Sequence, residues 1–321
     1  MTRNSVLFIS ACSAILLSAC GGSSTDAPAN DAGMSGSDTG SSADSAVEVD
    51  SGTPDETVLL IEGEWTLPPS TEDYQCIRVT VPEEMYVNSF VPVIPQGTHH
   101  TVLTIAPSDG TPDGQQSCNG FVNGPNMLFG SGVGTDRLVF PEGVAVRIPA
   151  GSQLLLNLHL FNTSTTETLH QTSGIRVTTL PAADVVHEAE IVLAGKDEGL
   201  TIGPRQVTTQ TGLCTFQHEQ TIFSVFPHMH QTATHMTVTA VPTSGTETTL
   251  FDEEYSFDSQ VYQAIAPEMQ MQVGDQLRVD CTYDNPTNRT LRFGESSEDE
   301  MCYAGVYRYP ASHDTYVTCT L

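Results

Sequence analysis

Leu154-Leu155-Leu156-Asn157-Leu158-His159-Leu160 is the stretch on which the fold turns. Five leucines in seven residues make it hydrophobic enough to be buried, and it is read as the strand 153–161, bounded by turn residues. Around it lie other short strands: Gln75 to Val81, Met85 to Val93, His99 to Ala106, Val144 to Pro149 and Gly174 to Leu180. Clusters such as Asp109-Gly110-Thr111-Pro112-Asp113-Gly114 separate them. Beyond Leu180-Pro181-Ala182-Ala183-Asp184 a second group follows: Glu188 to Leu193, Cys214 to Phe216, Thr221 to Phe226, Met236 to Val241, Gln276 to Tyr283, Cys302 to Tyr309 and Thr315 to Thr320. Many short strands between turn signals predict an all-β protein of two tandem β-sandwich, jelly-roll-like domains, 57–184 and 185–321. The length agrees, since 321 residues at roughly 150 per domain give about two domains.

Composition excludes one class of function. Against 39 acidic residues stand 11 Lys and Arg, a formal charge of −28, so no basic surface for nucleic-acid phosphates can be assembled. Part of the acidity is local. Residues 21–56 hold eight carboxylates and no Lys or Arg, with abundant Ser, Gly, Ala and Thr. Such a stretch has too little apolar surface to offset its ordering entropy and is expected to be a flexible, self-repelling tether. Ahead of it, Arg3 and the short apolar run Val6 to Leu17 make residues 1–20 an export signal rather than a membrane span. Its end, Leu17-Ser18-Ala19-Cys20, resembles the lipobox of bacterial lipoproteins, which implies a lipid on Cys20. Gly21 follows, so attachment to the cell envelope at the outer membrane is favoured, with the lipid as the only membrane contact. The folded part keeps 31 carboxylates against 10 basic residues, a charge that suits solubility of an exported, monomeric body.

Six further cysteines, Cys76, Cys118, Cys214, Cys281, Cys302 and Cys319, form an even set in an exported chain, and disulfides are the default reading. None makes the close spacing of a zinc knuckle. Of ten histidines, five are arranged. His159 sits inside the apolar run, where its two ring nitrogens need partners, and a metal plus one hydrogen bond supplies both. His228 and His230 flank Met229, and residues i and i+2 of a strand point the same way, so they form a ready chelate. Adjacent His99 and His100 ordinarily face opposite ways, and joint ligation requires a strand end, a bulge or different ring nitrogens. Imidazoles without a carboxylate suit copper or zinc better than magnesium or calcium.

Ordered motifs from residue 70 onward carry a resemblance. They are Asp73-Tyr74-Gln75-Cys76, Thr98-His99-His100, Leu156-Asn157-Leu158-His159, Cys214-Thr215-Phe216 and Phe226-Pro227-His228-Met229-His230. Arg278-Val279-Asp280-Cys281-Thr282-Tyr283, Ser297-Glu298-Asp299-Glu300-Met301-Cys302, Val306-Tyr307-Arg308-Tyr309 and Val317-Thr318-Cys319 complete the series. Together they resemble the copper type II, ascorbate-dependent monooxygenases, the family of peptidylglycine α-hydroxylating enzymes and dopamine β-monooxygenase. The resemblance implies an electron-transferring copper on His99, His100 and His159, and an oxygen-binding copper on His228, His230 and Met301. It implies the pairs Cys76–Cys118, Cys214–Cys319 and Cys281–Cys302, and a solvent-filled cleft between the two domains. Ascorbate or another one-electron reductant, dioxygen and a small-molecule or peptide-like substrate are the implied partners, and C–H hydroxylation the implied reaction. A thioether is a soft donor that favours Cu(I), which makes the division of ligands chemically sensible.

Three positions depart from the peptide-amidating pattern. Phe226 stands where those members hold a substrate carboxylate with arginine, and Tyr303 and Gly305 replace an asparagine and a tyrosine. An apolar ring cannot replace a guanidinium fork, and an apolar or aromatic substrate suits Phe226 and Tyr303 better than a peptide terminus. His170, His187, His218, His235 and His313 belong to no motif and are read as structural or surface residues. The competing readings are a non-catalytic copper-binding lipoprotein that retains the fold and a zinc-binding structural module.

Overall fold

Burial along the 154–160 run is unbroken from Gln153 to Leu160 in the strand Ser152–Phe161. Its position explains this. In a computed structural model, which describes residues 57–118, 126–294, 296, 298–313 and 318–320, the strand lies between Glu72–Thr80 and Thr98–Pro107, antiparallel to both. Gly114–Ser117 and Asn126–Gly132 complete that sheet at its two edges. A second sheet orders Val58–Leu67, Leu169–Leu180, Met85–Val93, Val144–Ile148 and His187–Glu188, with Leu138–Val139 also paired to Met85–Val93. The inward residues of the two sheets form one core around Leu67, Phe90, Leu103, Phe129, Ile148, Leu156 and Ile175. Side chains alternate as a half-buried strand demands: in Val58–Leu67, Ile61, Trp65 and Leu67 are buried while Glu62, Glu64 and Thr66 face out.

Residues after 189 build three more sheets. Gln263–Met271, Gln220–Met229, Cys302–Tyr309, Glu190–Lys196 and Thr318–Thr320 form one, and Gln206–Thr215, Gln276–Asn285, Ala233–Val241 and Thr248–Glu254 another. Thr201–Ile202 pairs with Leu291–Arg292. Their core holds Phe216, Ile222, Met229, Met236, Val279, Tyr283 and Val306. The described chain is therefore nearly all β, its only helical piece a 3-10 turn at Ala182–Asp184. The separation is not complete. His187–Glu188 pairs in parallel with Val144 and Ala145, and Ala189, Ile191, Phe223 and Tyr307 pack into the first core.

Strand positions expected from the sequence recur, most of them longer. Strands over Val58–Leu67, Asn126–Gly132, Thr248–Glu254 and Gln263–Met271 are additional. All three implied disulfides are present: Cys76–Cys118, Cys214–Cys319 and Cys281–Cys302, with Cα separations of 5.8, 5.0 and 5.8 Å. The export signal, Cys20, the tether, Ser297 and residues 314–317 lie outside the described residues.

Candidate metal centres

A bulge brings the first three histidines together. In the pairing of Thr98–Pro107 with Ser152–Phe161, Thr98 sits opposite Leu160 and His100 opposite His159, which leaves His99 as the extra residue. The bulge undoes the strict alternation that would send His99 and His100 to opposite faces. Their Nδ1 atoms lie 3.2 Å apart, His99 Nδ1 is 3.1 Å from His159 Nδ1, and His159 Nδ1 is 3.2 Å from His100 Nδ1. Three ring nitrogens this close cannot all be satisfied by one another, because each neutral imidazole carries one proton. Nitrogens this close could share one ion. The donor set thus fits a copper or zinc ion, and among the described residues it is the one group of three or more His, Cys, Asp or Glu side chains so arranged.

The rear edge of His159 is also engaged. Its Nε2 makes a short contact with a Glu72 carboxylate oxygen, so the proton belongs on Nε2 and the lone pair on Nδ1 faces the triangle. The Tyr74 ring stacks on the imidazole at 4.5 Å and nearly parallel. Asn157, the other polar residue of the leucine run, donates its amide toward both sulfurs of Cys76–Cys118. Each polar interruption of the apolar strand therefore has a partner, as burial requires.

The second set is built the other way round. His228 lies near the end of Gln220–Met229 and His230 just past it, their rings 5.4 Å apart and almost perpendicular. Met229 points into the second core, as an alternating strand dictates. Here the Nδ1 atoms face the protein: His228 Nδ1 donates to Gln260 Oε1 at 3.0 Å and His230 Nδ1 to the Asp299 carbonyl at 3.1 Å. Both partners are acceptors, so each neutral ring carries its proton on Nδ1 and its lone pair on Nε2. Met301 is buried, and the register that pairs Met229 with Cys302 sets it one step further, at the His230 end. Its backbone carbonyl accepts from Tyr283 OH at 2.7 Å, and the Cys281–Cys302 bridge follows directly. Glu300, fully buried, accepts from the backbone N–H of His230 at 3.0 Å and from the N–H and hydroxyl of Thr232, both at 2.7 Å. Burial raises the Glu300 carboxyl above its ordinary value, and these donors oppose the shift.

Burial lowers all five histidines below their ordinary value. Burial first, then the neighbouring imidazoles, pull His99 down to about 4 and hold His100 well below its usual value. Burial likewise brings His230 down to about 3 and lowers His228. For His159 burial outweighs the opposing pull of Glu72. A neutral imidazole is the form that binds metal.

One aromatic ring approaches both sets. The Phe257 ring lies 4.7 Å from the His99 ring and 6.0 Å from that of His230, centroid to centroid. Phe226 is buried as well, stacked on Tyr262 at 4.5 Å, and so is not presented as a substrate surface. Tyr303 is buried opposite His228, while a Cβ at Gly305 would meet Ile191 at 3.1 Å. A separate cavity, lined by Met127, Val146, Ile191, Arg308 and His313 among others, contains none of the candidate ligands.

The unassigned histidines stay apart from both sets. His170 bonds Thr66, His187 stacks on Tyr309, His235 approaches Asp252 at 3.4 Å and His313 approaches Glu188 at 3.6 Å. His218 lies between Gln206–Thr215 and Gln220–Met229. Sequence reasoning missed Glu72, Gln260, Phe257 and Glu300. Glu300 alone had a signal, its place immediately before Met301.

Residues 187–320 match the family model described as copper type II ascorbate-dependent monooxygenase, C-terminal domain. Curated relatives extend the likeness into the first half of the chain. The proteins named DBH-like monooxygenase protein 1 from Mus musculus and from Homo sapiens are each 23% identical over 288 residues, 78% of this chain and 46% of theirs. The Gallus gallus protein of that name is 23% identical over 279 residues, 76% of this chain and 45% of its own length. The chain thus spans about half the length of the curated relatives it matches.

Proposed function

The chain belongs to the copper type II ascorbate-dependent monooxygenase family, and from that premise we propose that it is a dicopper enzyme hydroxylating a substrate C–H bond with dioxygen and a one-electron reductant such as ascorbate. The observation that carries this reading is the presence, in one chain, of two imidazole sets presenting opposite ring edges. His99, His100 and His159 converge through Nδ1, whereas His228 and His230 turn Nδ1 to acceptors of the protein, with Met301 buried next in register. Copper held there would supply one-electron transfer at the first set and dioxygen activation at the second.

The protein's own residues have definite tasks in this reading. Glu72 fixes the tautomer of His159 and makes its Nδ1 a stronger donor. Glu300 pins the backbone between His230 and Thr232, so the ring of His230 is aimed before any ion arrives. Tyr283 and the Cys281–Cys302 bridge hold the backbone of Met301. The Phe257 ring limits water at the facing edges of His99 and His230. The two sets belong to tandem sandwiches, 57–184 and 185–321, facing across a cleft that Phe257 enters. In the same reading Cys20 is lipidated and anchors a monomer to the bacterial envelope, at the outer membrane. No guanidinium stands at position 226, so the carboxylate handle of the peptide-amidating pattern is missing there.

The test is ascorbate-dependent oxygen uptake by copper-loaded protein against a mixed library of apolar, aromatic and peptide substrates. Uptake coupled to a hydroxylated product, and lost in Met301→Ala, is expected. Unchanged uptake in Met301→Ala would sink the assignment. One observation favours a second reading, a non-catalytic copper- or zinc-binding lipoprotein: Phe257 packs on both sets and Phe226 is closed over by Tyr262. That reading predicts bound metal with no oxygen-dependent product.

A further inference from the structure

Gln260 is buried to 2% exposure, far from either cluster in sequence motif terms, yet it touches both halves of the chain. Its carboxamide oxygen accepts from His228 Nδ1 at 3.0 Å, and its amide nitrogen donates to the Phe257 carbonyl at 3.1 Å. This second bond settles which end of the amide faces His228. The backbone of Gln260 is held from the first half: its N–H donates to the Val133 carbonyl at 3.1 Å, and its carbonyl accepts from Thr135 Oγ1 at 2.5 Å. Thr135 is itself fixed, since its hydroxyl accepts from Gly132 N–H at 2.9 Å.

Gly132 completes the seat. It is paired in register with His100, and the carboxamide of Gln260 lies directly over it. A Cβ at Gly132 would lie 3.0 Å from the carboxamide carbon and 3.1 to 3.2 Å from its nitrogen and oxygen. Glycine leaves the room that the amide fills. Two residues further on, Tyr262 repeats the attachment, its hydroxyl donating to the Gly130 carbonyl at 2.7 Å and accepting from Gly130 N–H at 3.2 Å. The segment from Phe257 to Tyr262 is thus a strap from the second half, laid along residues 130–135 of the first.

We propose that Gln260 is the positioning residue of the second metal site: it holds His228 in the Nδ1–H tautomer with Nε2 as the donor, from a seat provided by the first half of the chain. The tautomer of a ligand imidazole follows the hydrogen bond made by its other nitrogen. A carboxamide oxygen can only accept, so the proton must be on Nδ1. Because Val133, Thr135 and Gly132 fix where that oxygen stands, the aim of His228 depends on residues that touch no candidate ligand of its own site. The tautomer half of this inference stands without the copper reading, and its affinity half rests on that reading.

The experiment uses the full chain with Gln260→Leu, Gln260→Glu and Thr135→Val. In metal-free protein, long-range proton–nitrogen NMR reads the tautomer of His228. The wild type and Gln260→Glu should show Nδ1–H, and Gln260→Leu a shift to Nε2–H. Cu(II) titration in a His159→Ala background then reads the second site alone. Affinity should fall about ten- to a hundredfold in Gln260→Leu, be retained or tightened in Gln260→Glu, and fall about two- to tenfold in Thr135→Val. A purely structural role would injure Gln260→Leu and Gln260→Glu alike. A wild-type His228 with its proton on Nε2 overturns the proposal. So does a Gln260→Leu protein in which tautomer and Cu(II) affinity are both unchanged. If wild-type protein takes up no copper yet the tautomer responds to Gln260→Leu, the copper reading fails and the positioning role stands. Should Gln260→Leu fail to fold, the wild-type tautomer and the two milder variants still decide.

Discussion

The two histidine sets differ most in what stands behind the rings. Behind His159 is a carboxylate, Glu72, on a side chain that is 43% exposed. Behind His228 and His230 are neutral acceptors, a carboxamide and a backbone carbonyl. The second set has a carboxylate too, but Glu300 is fully buried and holds backbone and hydroxyl donors rather than an imidazole edge. A carboxylate behind an imidazole strengthens the donor and favours the more oxidised ion, whereas neutral partners and a thioether favour the reduced one. The same residue type therefore stands behind an imidazole in one half and supports the chain in the other.

Removing each carboxylate should separate these roles. Glu300→Ala leaves three donors without their buried acceptor and should cost roughly 3 kcal/mol or more of stability, read by urea unfolding of metal-free protein. A loss near zero would mean that Glu300 does not hold this backbone. Glu72→Gln should leave the fold nearly intact and lower Cu(II) affinity at the first set about tenfold or more, measured by titration in a His228→Ala background. Equal losses at both sites would erase the distinction drawn between them.

Acid should weaken both sets for one shared reason. His99 and His230 are depressed to about 4 and about 3 from an ordinary 6.5. Below 6.5 the unfolded chain binds protons that the folded, metal-free chain refuses. Their contribution to stability is complete above 6.5 and declines as the pH falls toward 4, by up to about 1.4 kcal/mol per pH unit for each such histidine. Thermal midpoints of the metal-free protein across pH 7.5 to 4.5, set against His99→Asn and His230→Asn, check this. A slope unaffected by both substitutions would contradict it. The smallest effect belongs to His235, which approaches Asp252 on the neighbouring strand of its own sheet. His235→Ala should leave the metal stoichiometry unchanged and shift stability by no more than about 0.5 kcal/mol.

What the sequence revealed and what it hid follow from range. The leucine run announced a buried strand because its hydrophobicity is local, and His228 and His230 could be placed on one side of a strand because alternation is local. The convergence of His99 with His100 needed a bulge, which depends on how Thr98–Pro107 meets Ser152–Phe161. Partners across long separations were invisible: Glu72 lies 87 residues from His159, Gln260 lies 32 from His228, and Glu300 lies 70 from His230. Phe226 shows the same limit: its place before His228 is local, but its cover, Tyr262, comes from a strand-linking segment with no motif. The disulfides could be paired only through family resemblance, because an even set of cysteines carries no connectivity of its own.

X-ray absorption on the full chain loaded with Cu(I) tests the unlikeness of the two sites most directly. Two coppers per chain are expected, with a sulfur scatterer on half of them that vanishes in Met301→Ala while the nitrogen shell of the His99, His100 and His159 site persists. A single copper per chain, or two in nitrogen-only surroundings that Met301→Ala leaves unaltered, would contradict it.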